Sequence, residues 1–296
     1  MRSRIFFSVC AVAAILAAAC TSNNSVTLPP PGSSPTPTVQ HVYVSDDTGV
    51  IYAFAYPLTS TSTSTLALSV GFTPAGMAAF GNKLYVANDG GSQALVYQLP
   101  LTSTSTSIAT ITLSHHAVDV ALDSSGNLYA AENQSSTCCV DFVPAGASSP
   151  SFTLSSANVI TPFGATLDRN NNLFLANSGN VGFFAAPVTS SSTGISFGRD
   201  SFNEGLVTDS SGNLYVADGN GPGTIDIYNP PYTSASMPVS TSTIGGTLEQ
   251  MAMDANNVLY TNSFTPNQID VLNAPYTSIA FFVPVATHPY GIALGP

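Results

Sequence analysis

A short apolar segment, followed by a small residue and then an acidic or amide residue, occurs six times in this chain. The copies are VYVSD, LYVAN, LYAAE, LFLAN, LYVAD and LYTNS, and they begin at residues 42, 84, 128, 173, 214 and 259. Successive copies are 41 to 45 residues apart, which is the length of one four-stranded propeller blade. The repeat therefore predicts six blades.

A second repeated element precedes five of these copies and occurs once more at the end of the chain. Its copies are GMAAF at 76, DVALD at 119, GATLD at 164, GLVTD at 205, QMAMD at 250 and GIALG at 291. Turn sequences such as DSSGN at 209 follow it, in which Asp can accept hydrogen bonds from backbone amides and Gly or Asn tolerates left-handed backbone. The pair predicts an antiparallel hairpin that forms the first two strands of a blade.

The two ends of the repeat array predict how the ring closes. The N-terminal copy has no first strand before it, whereas GIALG at 291 is a first strand without a second strand after it. We expect the C-terminal strand to complete the N-terminal blade, which removes exposed sheet edges. The prediction is an all-β fold over residues 40–296, a six-bladed β-propeller of four-stranded antiparallel blades.

The first 39 residues have the features of an export signal and a tether. Arg2 and Arg4 precede an apolar segment that ends in Ala17-Ala18-Ala19-Cys20, similar to a bacterial lipobox. Residues 1–20 are predicted to be a lipoprotein signal peptide with Cys20 lipidated. The alternative is a secretory signal cut near Ala19, which leaves Cys20 unmodified. Residues 21–39, rich in Pro, Ser and Thr, are predicted to be an extended tether.

Composition excludes two classes of partner. Charged residues make up 7% of the chain, and without the signal only Lys83, Arg169 and Arg199 stand against sixteen acidic residues. Nucleic acids and anionic lipids require clusters of Lys and Arg. We therefore expect an exported protein, secreted or in the bacterial cell envelope, that contacts the membrane only through its lipid anchor.

The blade pattern G-x-A-x-D, turn, L-Y-V-A-D resembles that of the NHL-repeat propellers and, more distantly, of the gluconolactonase/regucalcin-like propellers. The resemblance covers His41 to Pro296 and implies the six-bladed fold. Members of these groups include metal-dependent lactonases, lyases and interaction modules. In the lactonase-like relatives, Glu, Asn and Asp side chains at the mouths of the first strands bind the metal, and such oxygen ligands suit Ca²⁺.

The positions just before the repeated first-strand element differ from blade to blade. In chain order they are Ala75, Val118, Phe163, Glu204, Glu249 and Tyr290. Only two are acids, so the full ligand set of a lactonase is not visible. The candidate metal-binding or ligand-binding rim consists of Glu204 and Glu249 together with nearby polar residues, namely Asp119, Asn203, His116 and His288. The alternative is a solvated polar rim without a ligand.

Three further groups of residues allow both functional and structural interpretations. His115 and His116 point to opposite sides of an extended segment, so one site can use only one of them. Cys138 and Cys139 can form a vicinal disulfide in an oxidising envelope, or they can be two buried thiols. The residues that end the second strands recur in every blade and are predicted to cap turns; they are Asp46, Asn88, Glu132, Asn177, Asp218 and Asn262.

The sequence leaves two functions open. One is a monomeric, exported propeller that acts as a binding or scaffold module for a protein or glycan. The other is a metal-dependent lactonase- or lyase-like enzyme that holds a divalent cation such as Ca²⁺ at the central rim. A third oxygen or imidazole ligand close to Glu204 and Glu249 would favour the enzyme. No catalytic residue is assigned.

Overall fold

The computed structural model of the protein describes residues 39–133, 139–198 and 203–296. The predicted signal peptide, Cys20, the tether up to residue 38 and Cys138 lie outside the described residues. Lipidation and the tether therefore stay predictions.

The described chain forms 24 strands in six four-stranded antiparallel sheets, each of which is one blade. Blade 1 contains β1 (His41–Asp46), β2 (Val50–Ala55), β3 (Ser64–Ser69) and β24 (Pro289–Gly295). Blade 2 contains β4 (Thr73–Phe80), β5 (Lys83–Asp89), β6 (Gln93–Gln98) and β7 (Ser107–Thr112). Blade 3 contains β8 (Ala117–Leu122), β9 (Leu128–Glu132), β10 (Val140–Val143) and β11 (Phe152–Leu154).

The other three blades repeat this order. Blade 4 contains β12 (Pro162–Leu167), β13 (Leu173–Asn177), β14 (Asn180–Phe184) and β15 (Ile195–Phe197). Blade 5 contains β16 (Asn203–Thr208), β17 (Leu214–Asp218), β18 (Thr224–Tyr228) and β19 (Ser240–Thr243). Blade 6 contains β20 (Thr247–Met253), β21 (Leu259–Thr265), β22 (Gln268–Leu272) and β23 (Phe281–Pro284). The six-bladed propeller is confirmed.

The first strands of the blades contact one another around a closed ring, in the order β24, β4, β8, β12, β16, β20 and back to β24. Blade 1 closes as predicted, because β24 pairs with β1 in a register that sets His41 opposite Gly295 and Val44 opposite Ile292. The first and the last strand of the propeller thus lie in one sheet. The described residues include no helix long and apolar enough to cross a membrane.

The core lies between neighbouring blades, so both faces of each sheet are covered. In β17 four consecutive residues, Leu214, Tyr215, Val216 and Ala217, are at most 4% exposed. Continuous burial explains why the apolar segments do not alternate with polar residues. Burying each large apolar side chain stabilises the fold by about 1.5–3 kcal/mol.

The turns between first and second strands have the predicted hydrogen bonds. Asp123 accepts backbone bonds through Oδ1 from Ser125 at 2.8 Å and from Asn127 at 2.9 Å. Asp168, Asp209 and Asp254 make the same pair of bonds in their own turns. Gly126 lies in the left-handed region, at φ +81°, which confirms the turn assignment.

The start of each first strand differs from the prediction. The six positions placed before these strands lie inside them, at β-bulges. In β16, for example, the register with β17 shifts between Asn203 and Leu206, and Glu204 lies within that shift. The next residue, Gly205, has no room for a side chain, because a Cβ there would lie 2.4 Å from the carbonyl oxygen of Glu249. The bulge lets the backbones of neighbouring blades meet and turns residue 204 towards the axis.

Candidate functional site

The six bulge residues surround one mouth of the central channel. A cavity of about 300 Å³ lies there, and all six residues predicted from the repeat alignment line it. They are Ala75, Val118, Phe163, Glu204, Glu249 and Tyr290. Gly76, Asp89, His116, Asn133 and Gln250 complete the lining. We call this space the mouth cavity.

Gln250 forms the floor of the mouth cavity. Its side-chain nitrogen donates to the carbonyl oxygen of Phe163 at 3.1 Å and to that of Glu204 at 3.4 Å. Gln250 thereby bridges blades 4, 5 and 6. It also lines a second cavity of about 260 Å³ between the first strands below. The equivalent position is Gly in four other blades. The side chain of Gln250 thus lies between the mouth cavity and the channel below it.

Glu204 and Glu249 are the two acidic residues of the mouth cavity that have no hydrogen-bond partner among the described residues. Glu249 is 8% exposed and Glu204 is half-buried. Within the described chain, neither side chain accepts a hydrogen bond. Burial raises the pKa of Glu204, and the negative charges of Glu249 and Asp218 raise it further. Burial also raises the pKa of Glu249. At neutral pH the pair therefore holds protons that exposed carboxylates would have lost.

His116 and Asp89 form the opposite side of the mouth cavity. The imidazole Nε2 contacts Oδ1 of Asp89, and Nδ1 lies 3.2 Å from the carbonyl oxygen of Asn133. The two side chains are 29% and 35% exposed. Of the acids that line the cavity, Asp89 is thus the one with a basic partner. His115 points away from this cavity, as expected for adjacent residues in an extended segment.

The remaining sequence candidates lie at three other places. Asp119 lines the second cavity, where it accepts a hydrogen bond from the backbone of Ala165 at 2.8 Å. Burial raises the pKa of Asp119 to about 7. Asn203 donates to the carbonyl oxygens of Asn177 and Asn180 in the preceding blade. His288 lies 2.8 Å from a carboxylate oxygen of Asp47 and stacks on Phe264. The structure therefore brings together only Glu204, Glu249 and His116.

The polar residues that end the second strands have structural roles, and these roles differ. Asp46 and Asp218 cap the turns that follow them, accepting backbone bonds at 2.9–3.0 Å. Asn177 instead accepts a bond from Ile160, which precedes the first strand of its own blade. Asn262 donates to the carbonyl oxygen of Gly291 in the next blade. The predicted turn capping is therefore observed for Asp46 and Asp218, whereas Asn177 and Asn262 bond to backbone groups outside the turn that follows them.

A separate cluster that the sequence did not predict lies in blade 3. His115 Nδ1, Glu132 Oε2 and Cys139 Sγ are 2.9–3.2 Å apart. It is the one group of three His, Cys, Asp or Glu side chains close enough for a metal ion within the described ranges. Burial and the nearby Asp141 raise the pKa of Glu132 to about 8. Cys139 is disulfide-bonded, which contradicts the interpretation of two thiols and leaves no thiolate for a metal. Its predicted partner, Cys138, is outside the described residues.

The divalent metal implied by the lactonase resemblance does not fit the mouth cavity. Ca²⁺ takes about six to eight oxygen ligands. No third His, Cys, Asp or Glu joins Glu204 and Glu249 within coordinating distance in the described chain. Ala75, Val118 and Phe163 occupy three of the six ring positions and offer no side-chain donor.

The sequence matches no protein-family model and no curated protein. Solved structures resemble the fold. A functionally unknown protein from Desulfotomaculum acetoxidans aligns at TM-score 0.64 and 16% identity, over 86% of this chain and 99% of that one. A chain of a nidogen/laminin complex aligns at 0.66 and 16%, over 86% and 98%. A provisionally named 6-phosphogluconolactonase from Bacteroides uniformis aligns at 0.59 and 15%, over 86% and 85%. At these identities the likeness concerns the fold alone.

Proposed function

We propose that this chain is an exported, lipid-anchored propeller that binds a protein or glycan partner at the mouth cavity. One observation carries the proposal. Glu249 is 8% exposed and lines a cavity of about 300 Å³, yet its carboxyl group has no hydrogen-bond partner in the described chain. Carboxyl groups inside a fold ordinarily have hydrogen-bond partners, and a concave space in which polar groups meet apolar and aromatic side chains is a typical ligand site.

The contrast between the repeated and unrepeated residues supports binding at this place. The turns and apolar strands recur in blade after blade because they make the fold. The six ring residues differ, and they combine apolar, aromatic and acidic side chains in one concave space. Propellers resembling this chain include one in a nidogen/laminin complex, so the fold is compatible with a protein partner.

Divalent cations are expected to leave the stability of the protein unchanged. Thermal melts with about 1 mM Ca²⁺, Zn²⁺ or Mn²⁺ should shift the midpoint by less than about 1 °C, since a ligand stabilises only the state that binds it. A shift of several degrees that disappears in Glu204→Gln would instead support the metal-dependent enzyme.

The same thermal melts, repeated with a panel of peptides and oligosaccharides, test for the proposed partner. At least one class should raise the melting midpoint of the wild type and of the control Asp47→Asn, which removes one acidic group outside the cavity. The double variant Glu204→Gln/Glu249→Gln should lose that shift. If every probe acts equally on the double variant, the binding site lies elsewhere.

Lipid anchoring is expected to depend on Cys20. In a bacterial host grown with radiolabelled palmitate, the wild type should carry label in the membrane fraction, and Cys20→Ser should carry none because it lacks the acylated thiol. Equal label in the two proteins would contradict the anchor. If the wild type is exported but carries no label, the N-terminal segment is a cleaved secretory signal.

A further inference from the structure

The mouth cavity has acidic groups without a matching positive charge. Two of its three acids, Glu204 and Glu249, form no hydrogen bond or ion pair with a described residue. The Lys and Arg residues that the structure describes are Lys83, at the start of β5, and Arg169, in the turn after β12. Both lie at the ends of the strands opposite the mouth. Because a buried carboxylate without a counter-charge is destabilising, the cavity favours a ligand that supplies one.

The other walls of the cavity indicate the kind of cation. Aliphatic Ala75 and Val118 and the rings of Phe163 and Tyr290 line the same space as the acids. An alkylammonium group matches this arrangement, because its methylene chain packs on apolar walls while its charged end reaches carboxylates. Aromatic rings also attract cations. We propose that the mouth cavity binds an alkylammonium group, presented by a lysine side chain of a protein partner or by a free amine. This inference rests on the proposed binding function, whose site it shares.

An alkylammonium fits better than a bare metal ion for two reasons. The cavity of about 300 Å³ is far larger than an ion. Moreover, Gln250 at the floor is a neutral amide whose nitrogen donates to backbone carbonyls, so it adds no negative charge to the pair. A flexible ammonium needs only two or three acceptors, which Glu204 and Glu249 supply.

Binding of an ammonium is expected to depend on pH. The titratable groups that face the two glutamates are Asp218 behind Glu204, Tyr290 beside both, and Asp89 and His116 across the cavity. Burial and the surrounding acids raise the pKa of Tyr290 to about 12, so its hydroxyl remains neutral. An ammonium favours ionised carboxylates and therefore releases protons from the pair. Affinity should rise about tenfold or more from pH ~5.5 to ~8, while an amine of pKa ~10.4 stays charged.

Calorimetric titration of the full chain in detergent tests the proposal. The probes are Nα-acetyl-lysine methylamide, cadaverine and the neutral Nα,Nε-diacetyl-lysine methylamide. At pH ~8 at least one amine should bind with a dissociation constant below about 1 mM, and the diacetylated compound should not bind. A response to the lysine compound alone identifies a protein side chain as the source. A response to cadaverine identifies an aliphatic amine as sufficient.

Three variants connect any binding to the mouth cavity. Glu204→Gln and Glu249→Gln should each weaken it about tenfold or more, because each removes a buried charge from the pair. Asp47→Asn, which removes an equal charge outside the cavity, should change it less than about twofold. Thermal melts establish that all three variants are folded.

Two results would overturn the inference. One is the absence of binding by both amines at every pH, and the other is equal binding by wild type and the two Gln variants. If a glycan or a lysine-free peptide then stabilises the wild type but not Glu249→Gln, the proposed binding function stands without the amine. If no probe of any class does so, both fail.

Discussion

The melting temperature of the protein is expected to fall by about 5–10 °C between pH ~5 and pH ~8.5. Folding buries Glu249 and raises its pKa, as it does those of Glu204, Glu132 and Asp119. Each unit of pKa difference between the folded and unfolded states corresponds to about 1.4 kcal/mol. A combined loss of only about 2–3 kcal/mol produces the expected shift, since 1 kcal/mol moves the midpoint of a domain this size by about 2–4 °C.

The direction of this effect follows from proton binding. Between the ordinary pKa of a glutamate, 4.5, and its raised value in the fold, the folded state binds more protons than the unfolded state. The resulting stabilisation is complete below pH 4.5 and is lost as the pH rises through the folded value. Acidic conditions down to that range should therefore favour the fold, whereas most proteins lose stability there.

Glu249→Gln isolates the contribution of the mouth cavity. The amide keeps the size of the side chain and cannot ionise, so the variant should match the wild type at pH ~5 and exceed it by about 1–2 kcal/mol at pH ~8.5. Asp47→Asn, which removes one carboxyl group outside the cavity, is the control variant. Parallel pH curves for wild type and Glu249→Gln, measured by urea unfolding, would show that this carboxyl ionises freely in the fold.

The sequence is sufficient to predict the ring of six residues at the mouth, one from each blade, because the blades repeat. Aligning the copies identified Ala75, Val118, Phe163, Glu204, Glu249 and Tyr290, and all six line one cavity. The alignment could not show that each lies at a bulge. The bulge depends on contacts with the next blade, such as the approach of Gly291 to the carbonyl oxygen of Ala75, where a Cβ would lie 2.2 Å away.

The sequence could not predict which of the other polar residues near the rim point into the cavity, because this depends on packing between blades. Asn203 and His288 lie one or two residues before rim positions in the sequence, but neither lines the cavity. Asn203 donates a hydrogen bond to the preceding blade, and His288 pairs with Asp47. Conversely, Asp89 reaches the cavity from the end of a second strand. Proximity in the repeat fixes the height of a residue along the axis. The direction of its side chain depends on neighbours that are distant in sequence.

Deletion of residues 289–296 is expected to abolish cooperative folding. These residues include β24, which supplies the first strand of blade 1 and buries Ile292 and Ala293 between blades 2 and 6. Its loss exposes the edge of β1 and removes packing worth on the order of 5 kcal/mol, comparable to the whole stability of many domains. Circular dichroism should show a broad thermal transition without a defined midpoint, and a hydrophobic dye should bind at room temperature.

Moving the strand instead of deleting it provides the matched control. A circular permutant that starts at residue 287 and joins residue 296 to residue 40 through a short Gly/Ser linker retains every pairing of β24 with β1. It should melt cooperatively, within a few degrees of the wild type, because loop-closure entropy changes by only about 0.6 kcal/mol for each doubling of loop length. Cooperative melting of the deletion variant would mean that five complete blades and a three-stranded remnant suffice. Closure by β24 would then serve mainly to place Tyr290 at the mouth, and the deletion should still abolish ligand binding there.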